Sequence, residues 1–264
     1  MGSLIMALAS YLDVKQSSGD WFIRIDDIDP PRAIEGATET ILQVLNAIGL
    51  VGDLPVQYQS NHDARYRQAL DQVSDDLFYC TCTRAQLRDQ PVYPGTCREN
   101  KTPTENAAIR INTEHWGEVI FEDQFLGQQK AASGIDFGDF IVRRRDGLWS
   151  YQFATAVDDG TDVTRVLRGQ DLLATTPQQV GLIALLGLDV PEYCHLPTLH
   201  FEDGQKLSKQ HHAPAVEPTK SNIELALELL GQDHTDSLAQ AIQSWELRKV
   251  PNALKPFPRL SHDC

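Results

Sequence analysis

Three of the five cysteines fall within one short run, "CTCTRAQLRDQPVYPGTC", as Cys80, Cys82 and Cys97. Deprotonated thiols are soft ligands, and three of them supply most of a tetrahedral zinc site. Tyr93 sits on the Pro-Gly turn that would bring Cys97 back to the pair; Asp89 and His115 are alternative fourth ligands. A phenolate is an uncommon ligand, because a proton with a pKa of about 10 must leave, which a bound cation makes easier. Four protein ligands would make the zinc structural. Unligated thiols in a strand and loop are the plainer alternative.

"KLSK" (Lys206, Leu207, Ser208, Lys209) follows the Asp203-Gly204 turn. Two lysines three residues apart on a loop can clamp a triphosphate and meet the charge that grows on departing pyrophosphate. Taken alone, the four letters read first as a solvated basic loop; the place of the loop after the last strand of the α/β pattern is what points to a ligand. In "RIDDID", Asp26, Asp27 and Asp29 end a strand, where carboxylates can hold an amine, a ribose or magnesium. Asp29, before Pro30, reads as a turn residue instead. In "RGQD", Arg168 ends a strand at Gly169, with Asp171 close behind, and an arginine there suits a bidentate grip on a carboxylate. Tyr151 opens a helix and could face the same cleft or pack in the core.

The elements that must position these groups alternate between strand and helix. Leu4, Ile5, Leu8, Tyr11 and Leu12 recur at helical spacing, and "WFIRI" (21–25) reads as a buried strand. Ile34, Ile41, Leu45 and Ile48 predict an amphipathic helix capped by Gly49, and a further helix spans 62–77. Residues 79–130 change character, with cysteines, prolines and short alternating runs, and predict a small inserted module with β-hairpins. A hairpin across Asp146-Gly147, a helix over 151–158, the strand "VTRVLRG", the helix "TPQQVGLIALLGL" and the strand "HLPTLHF" follow. A capping box from Ser221 to Glu224 opens a helix that ends at Gly231, and "DSLAQAIQSWEL" is the last helix. The pattern predicts an α/β fold with a Rossmann-like parallel sheet in two halves, 1–78 and 131–212, interrupted by the 79–130 module and followed by a helical region, 213–264. Such sheets bind nucleotides at the carboxyl ends of their strands, near helix N-termini. No P-loop and no GxGxxG is present, so a nucleotide is held in another way.

The 264 residues carry a formal net charge of −14, which argues against coating DNA or lying on an anionic membrane. A local strip such as Arg143-Arg144-Arg145 could still meet a nucleic acid. No run approaches the ~20 apolar residues of a membrane span. The opening residues lack the basic flank of a secretion signal, and Met6 stands where a myristoylation pattern wants Ser or Thr. A cytoplasmic monomer without a disulfide framework is expected.

"GSLIMALASYLD", "RIDDIDPPR", "CTC…YPGTC", "YQFATAVDD", "LRGQDLL", "TPQQ", "HLPTL" and "KLSKQ", in this order, resemble the class I glutamyl-tRNA synthetase group, and within it the short glutamyl-queuosine tRNA(Asp) branch. The resemblance covers nearly the whole chain. It implies activation of L-glutamate by ATP, with Mg2+, to glutamyl-adenylate, and transfer to queuosine in the anticodon of tRNA(Asp). It also implies that Arg168 and Tyr151 hold glutamate and that Asp26, where the group commonly has a glutamate, faces the amino group. Lys209, with Lys206 and Ser208, would contact ATP, as would Gly2 and Ser3; Cys80, Cys82, Tyr93 and Cys97 would hold structural zinc.

The group begins with a strand and a HIGH-type motif, of which Gly2-Ser3 resembles the end. Some 10 to 20 residues would precede it by ordinary strand and loop lengths, so Met1 is expected to be an internal methionine. Two other functions are compatible with these residues: a tRNA- or protein-binding paralogue that has lost activation, and a truncated enzyme charging tRNA(Glu).

Overall fold

The computed structural model describes residues 1–205, 207 and 217–256. The opening apolar spacing becomes α1 (Gly2–Gln16), whose Leu4, Ile5, Leu8, Ala9 and Leu12 are buried. Helix α1 packs on α6 (Lys220–Leu229), α7 (Leu238–Ser244) and strand β8 (Arg165–Gly169). Their apolar side chains, with Trp245 at the centre, form one core. A polar tie crosses it: buried Asp13 accepts from Trp245 Nε1 at 3.2 Å and faces Arg165 Nε at 2.7 Å. A second core gathers Tyr66, Trp149, Phe153, Leu182 and Ile183 between α3 (Asp63–Gln72), α4 (Tyr151–Asp162) and α5 (Thr176–Leu185).

The strands form three sheets among the described residues. Strands β1 (Arg24–Ile25) and β2 (Gln57–Tyr58) pair in parallel. Strands β3 (Leu77–Cys80), β4 (Ala108–Ile111) and β7 (Phe140–Arg143) are antiparallel. The third sheet runs β6 (Gly127–Ala132), β5 (Glu118–Asp123), β9 (Glu192–Leu196), β8, with β8 and β9 parallel over five residue pairs.

The fold is therefore mixed α/β with parallel pairing, rather than one parallel sheet with a self-contained insert. The β5–β6 hairpin was expected inside the 79–130 module. It instead joins the sheet of β8 and β9, with Asp123 opposite Tyr193, because Val119, Phe121 and Ala131 bury against Val180 and Tyr193.

Three local expectations shift. Helix α2 (Ala37–Ala47) forms and Gly49 closes it at φ 82°, but α2 contains no buried residue, and Ile34 and Ile41 are exposed. The 62–77 helix stops at Gln72, and Leu77 begins β3. The cap of α6 is Thr219, whose hydroxyl accepts from Asn222 N–H, so Ser221 and Glu224 do not form the predicted box. No helix among the described residues is long and apolar enough to cross a membrane.

Candidate active site and cysteine cluster

Two adjoining clefts open where the carboxyl end of β8 meets the start of α1 and of α4. The first, of about 680 Å³, is lined by Gly2, Ser3, Asp26, Arg168, Gly169 and Asp171 among others. The second, of about 1030 Å³, runs past Tyr151, Trp149, Arg110 and Arg144 toward Tyr93. Asp26 borders both. The structure thus brings together Gly2, Ser3, Asp26, Tyr151 and Arg168. Lys206, Ser208 and Lys209 lie outside the described residues, while Leu207 between them is buried against the first core.

Arg168 is the unusual group. It is only 8 % exposed, yet every acceptor it meets among the described residues is neutral. Its Nε donates to His195 Nε2 at 3.0 Å, and its Nη2 donates to Thr176 Oγ1 at 2.9 Å and Gln179 Oε1 at 2.6 Å. Its guanidinium also lies over the Tyr193 ring at 5.1 Å. A buried cation without a carboxylate partner is costly, and a guanidinium carries five N–H donors in a fixed fork. Here Nη1 has no partner among the described residues, so the fork presents charge and donors to an incoming anion. Gly169 keeps the next turn close: a Cβ there would stand 2.5 Å from Asp171 Oδ1 and 2.8 Å from the Thr198 methyl.

Tyr151 is placed by its helix cap, since Ser150 Oγ accepts from Phe153 N–H and starts α4 directly before it. Burial pushes its phenol upward, so it stays a neutral donor. Asp26 Oδ1 accepts from Arg24 Nε at 2.9 Å, leaving Oδ2 without a described partner. Asp27 is structural, accepting from Ser60 N–H and hydroxyl at 2.7 and 2.6 Å. Asp29 pairs with Arg144 at 3.1 Å.

Arg24 was not singled out in the sequence, although its place two residues before Asp26 on a strand puts both on one face. It bridges Asp26 and the buried Asp159 of α4, which it meets at 2.6 Å. Burial pushes the Asp159 carboxyl upward, against the pull of Arg24. Replacing Arg24 by Met is expected to leave that carboxylate uncompensated and cost about 3–5 kcal/mol. Urea unfolding measures this, and Asp159→Asn added to Arg24→Met should restore much of the loss.

His62, Asp158 and Asp162 also lie close together. They are not a metal site, because Asp158 is already saturated by Gln59, His62, Arg65 and Tyr66.

In the cysteine cluster, the Cys82 and Cys97 sulfurs are 3.6 Å apart, and Tyr93 Oη lies 3.4 Å from Cys80 Sγ and 3.8 Å from Cys82 Sγ. Tetrahedral coordination at a Zn–S distance of about 2.3 Å puts sulfurs about 3.8 Å apart, so the donor set has the size of a zinc site. Burial opposes ionisation of Cys97, but the Tyr93 hydroxyl and the neighbouring thiols outweigh it and hold this thiol below its ordinary value. Burial and the thiols push the Tyr93 phenol upward, so only a bound cation would make it a phenolate. Asp89 is not among the clustered ligand atoms, and His115 instead faces Asp76 at 3.4 Å. The Tyr93 ring is held from outside by Arg110, 4.2 Å from its centroid.

This fold and site define a class. The chain belongs to the family described as tRNA synthetases class I (E and Q), catalytic domain, whose model matches residues 1–222; it is thus a ligase-type enzyme. Among curated proteins it is similar to the glutamyl-Q tRNA(Asp) synthetase of Escherichia coli (strain K12), with 42% identity over 96% of this chain and 86% of that protein. The proteins of the same name from Cronobacter sakazakii and Pseudomonas aeruginosa are 39% and 38% identical, covering 99% and 98% of this chain and 92% and 94% of theirs. A glutamate-tRNA synthetase structure from Elizabethkingia anophelis shares the fold, with a TM-score of 0.80 and 23% identity. That match covers 97% of this chain, which spans 65% of the Elizabethkingia chain.

Proposed function

We propose that this chain activates L-glutamate with ATP and transfers the glutamyl group to queuosine in tRNA(Asp). The observation that carries the reading is Arg168, a buried cation that lines the cleft and whose hydrogen-bond partners among the described residues are all neutral. A carboxylate of glutamate completes its charge balance, Asp26 Oδ2 takes the ammonium group, and the Tyr151 hydroxyl donates to the bound amino acid. In the first step the α-carboxylate attacks the α-phosphorus of ATP and pyrophosphate leaves; in the second, a hydroxyl of the queuosine ring attacks the acyl carbon and AMP leaves.

ATP lies across the start of α1 at Gly2 and Ser3, beyond the carboxyl end of β8, as in Rossmann-like sheets. Lys206, Ser208 and Lys209 are the residues we assign to its phosphates, by their type and spacing in the sequence. Mg2+ would screen phosphate charge when bound. Zinc at Cys80, Cys82, Tyr93 and Cys97 is structural, supplying the order that residues 81–107 do not obtain from helix or strand. The names of the relatives support the glutamyl donor and the tRNA(Asp) acceptor. Labelled glutamate is expected to enter tRNA(Asp) that carries queuosine, and not tRNA(Asp) with unmodified guanosine; equal labelling of both, or of tRNA(Glu) alone, would overturn the reading.

A further inference from the structure

His195 and Asp123 are fully buried and face no cleft, so neither can touch a substrate. Their hydrogen bonds nevertheless lead directly to Arg168. The guanidinium Nε–H needs an acceptor, and His195 Nε2 at 3.0 Å provides it only if that nitrogen carries the lone pair. The imidazole proton must then sit on Nδ1, where Asp123 Oδ2 accepts it at 2.6 Å. Asp123 is itself immobilised at the β5–β6 turn: Oδ1 accepts from Phe125 and Leu126 N–H at 3.0 and 2.9 Å, and Oδ2 from His195 N–H at 3.1 Å. The Tyr193 ring stacks on the imidazole with an interplanar angle of 18°.

A carboxylate placed against Arg168 would occupy the very fork that has to receive a ligand. A neutral imidazole in that place holds the guanidinium by its Nε–H and keeps the Asp123 charge one ring away. We propose that His195 and Asp123 are a positioning pair, fixing the orientation of Arg168 while leaving its outer edge free for the glutamate carboxylate. This rests on the reading of Arg168 as the carboxylate-binding group.

Asp123→Asn is the sharpest test, because it changes no volume. Its oxygen is retained by the two turn N–H groups, so its amide nitrogen replaces Oδ2: it gives up the bond from His195 N–H and sets an N–H against His195 Nδ1, which drives the imidazole proton to Nε2. That proton then opposes Arg168 Nε–H, which loses its acceptor, while Thr176 Oγ1 at 3.0 Å takes the proton. In glutamate-dependent ATP–pyrophosphate exchange, the KM for glutamate is expected to rise roughly ten- to hundredfold, the loss of one charged hydrogen bond. The KM for ATP should stay within about twofold of the parent, since Arg168 does not serve the nucleotide. Adding His195→Gln to Asp123→Asn supplies a carbonyl oxygen near the former Nε2 and should recover most of the loss.

A purely structural role predicts the opposite, with the double variant no better than the single one and both KM values moving together. Should Asp123→Asn fail to fold, His195→Gln compared with His195→Leu asks the same question: the glutamine keeps an acceptor for Arg168 and the leucine does not. Equal glutamate KM values in those two variants would overturn the proposal. Arg168→Gln run beside them separates the two claims. If it leaves the glutamate KM unchanged, the reading of Arg168 fails and the positioning role with it. If it alone raises that KM, only the positioning role fails.

Discussion

Replacing Arg168 by Gln is expected to lower kcat/KM for glutamate by about 30- to 3000-fold while the protein stays folded. Truncating one partner of a buried, hydrogen-bonded charge pair costs about 2–5 kcal/mol, and each 1.4 kcal/mol is tenfold. In the free protein the same substitution removes a buried cation whose acceptors among the described residues are all neutral, so the folded state loses hydrogen bonds to His195, Thr176 and Gln179 but no ion pair among those residues. Activity and stability should therefore separate. Arg24→Met behaves in the reverse manner, because Arg24 does meet a buried carboxylate, Asp159. Ligand-induced stabilisation provides a reading independent of turnover: saturating glutamate should raise the Tm of the parent protein and not that of Arg168→Gln. Equal thermal shifts in the two proteins would remove Arg168 from the site.

The second large effect is expected at the cysteine cluster. Residues 81–107 contain neither helix nor strand, and structureless segments beyond about 12–15 residues are uncommon inside compact domains. The local apolar cluster is small, with Phe78, Cys80 and Tyr93 as its buried members. Arg98 to Asp139 and Asn100 to the Tyr79 carbonyl tie the segment to its neighbours, and under the proposed zinc reading the ligand set supplies the rest; structural zinc in small peptide modules supplies about 10–16 kcal/mol at neutral pH. Purified protein is expected to hold one zinc per chain. Cys97→Ser should lose that zinc and expose 81–107 to rapid proteolytic cleavage. Tyr93→Phe keeps the ring packed between Phe78 and Arg110 and removes only the oxygen. If Tyr93 is the fourth ligand, this variant should weaken zinc retention against a chelator; full retention would assign the fourth position to another donor. A metal-free parent protein that resists protease equally well would refute the structural role.

What the sequence made legible was local chemistry. Cys80, Cys82 and Cys97 could be read together because a Pro-Gly turn returns the chain within a short span, and the structure does place their sulfurs and the Tyr93 oxygen within a few ångströms. Arg168 and Tyr151 stood out because they sit where a strand ends and a helix begins. The support around them was not legible, since it comes from pairings distant in sequence. Arg24 meets Asp159 across 135 positions, and His195 meets Asp123 across 72. The run "AVDDG" does carry a cue, since it sets two adjacent aspartates directly after the apolar stretch of a helix, and buried carboxylates demand partners.

Periodicity misled where only one side of the pattern is covered. Leu45 packs partly against the first core, but Ile34 and Ile41 remain exposed, so α2 has an apolar repeat without a matching surface among the described residues. The β5–β6 hairpin was assigned to the inserted module for a similar reason. Its alternation reveals a two-faced strand, but not which neighbour takes the apolar face; Tyr193 and Val180, far along the chain, do so.

The central claim is that the cleft at Arg168 receives glutamate for activation by ATP. Glutamate-dependent exchange of labelled pyrophosphate into ATP tests it most directly, with glutamine and aspartate as matched controls. Glutamine lacks the side-chain carboxylate, and aspartate brings it one methylene short of the fork. The account predicts exchange with glutamate and at least tenfold less with either control. Exchange that is absent with glutamate, or as strong with glutamine, would contradict it.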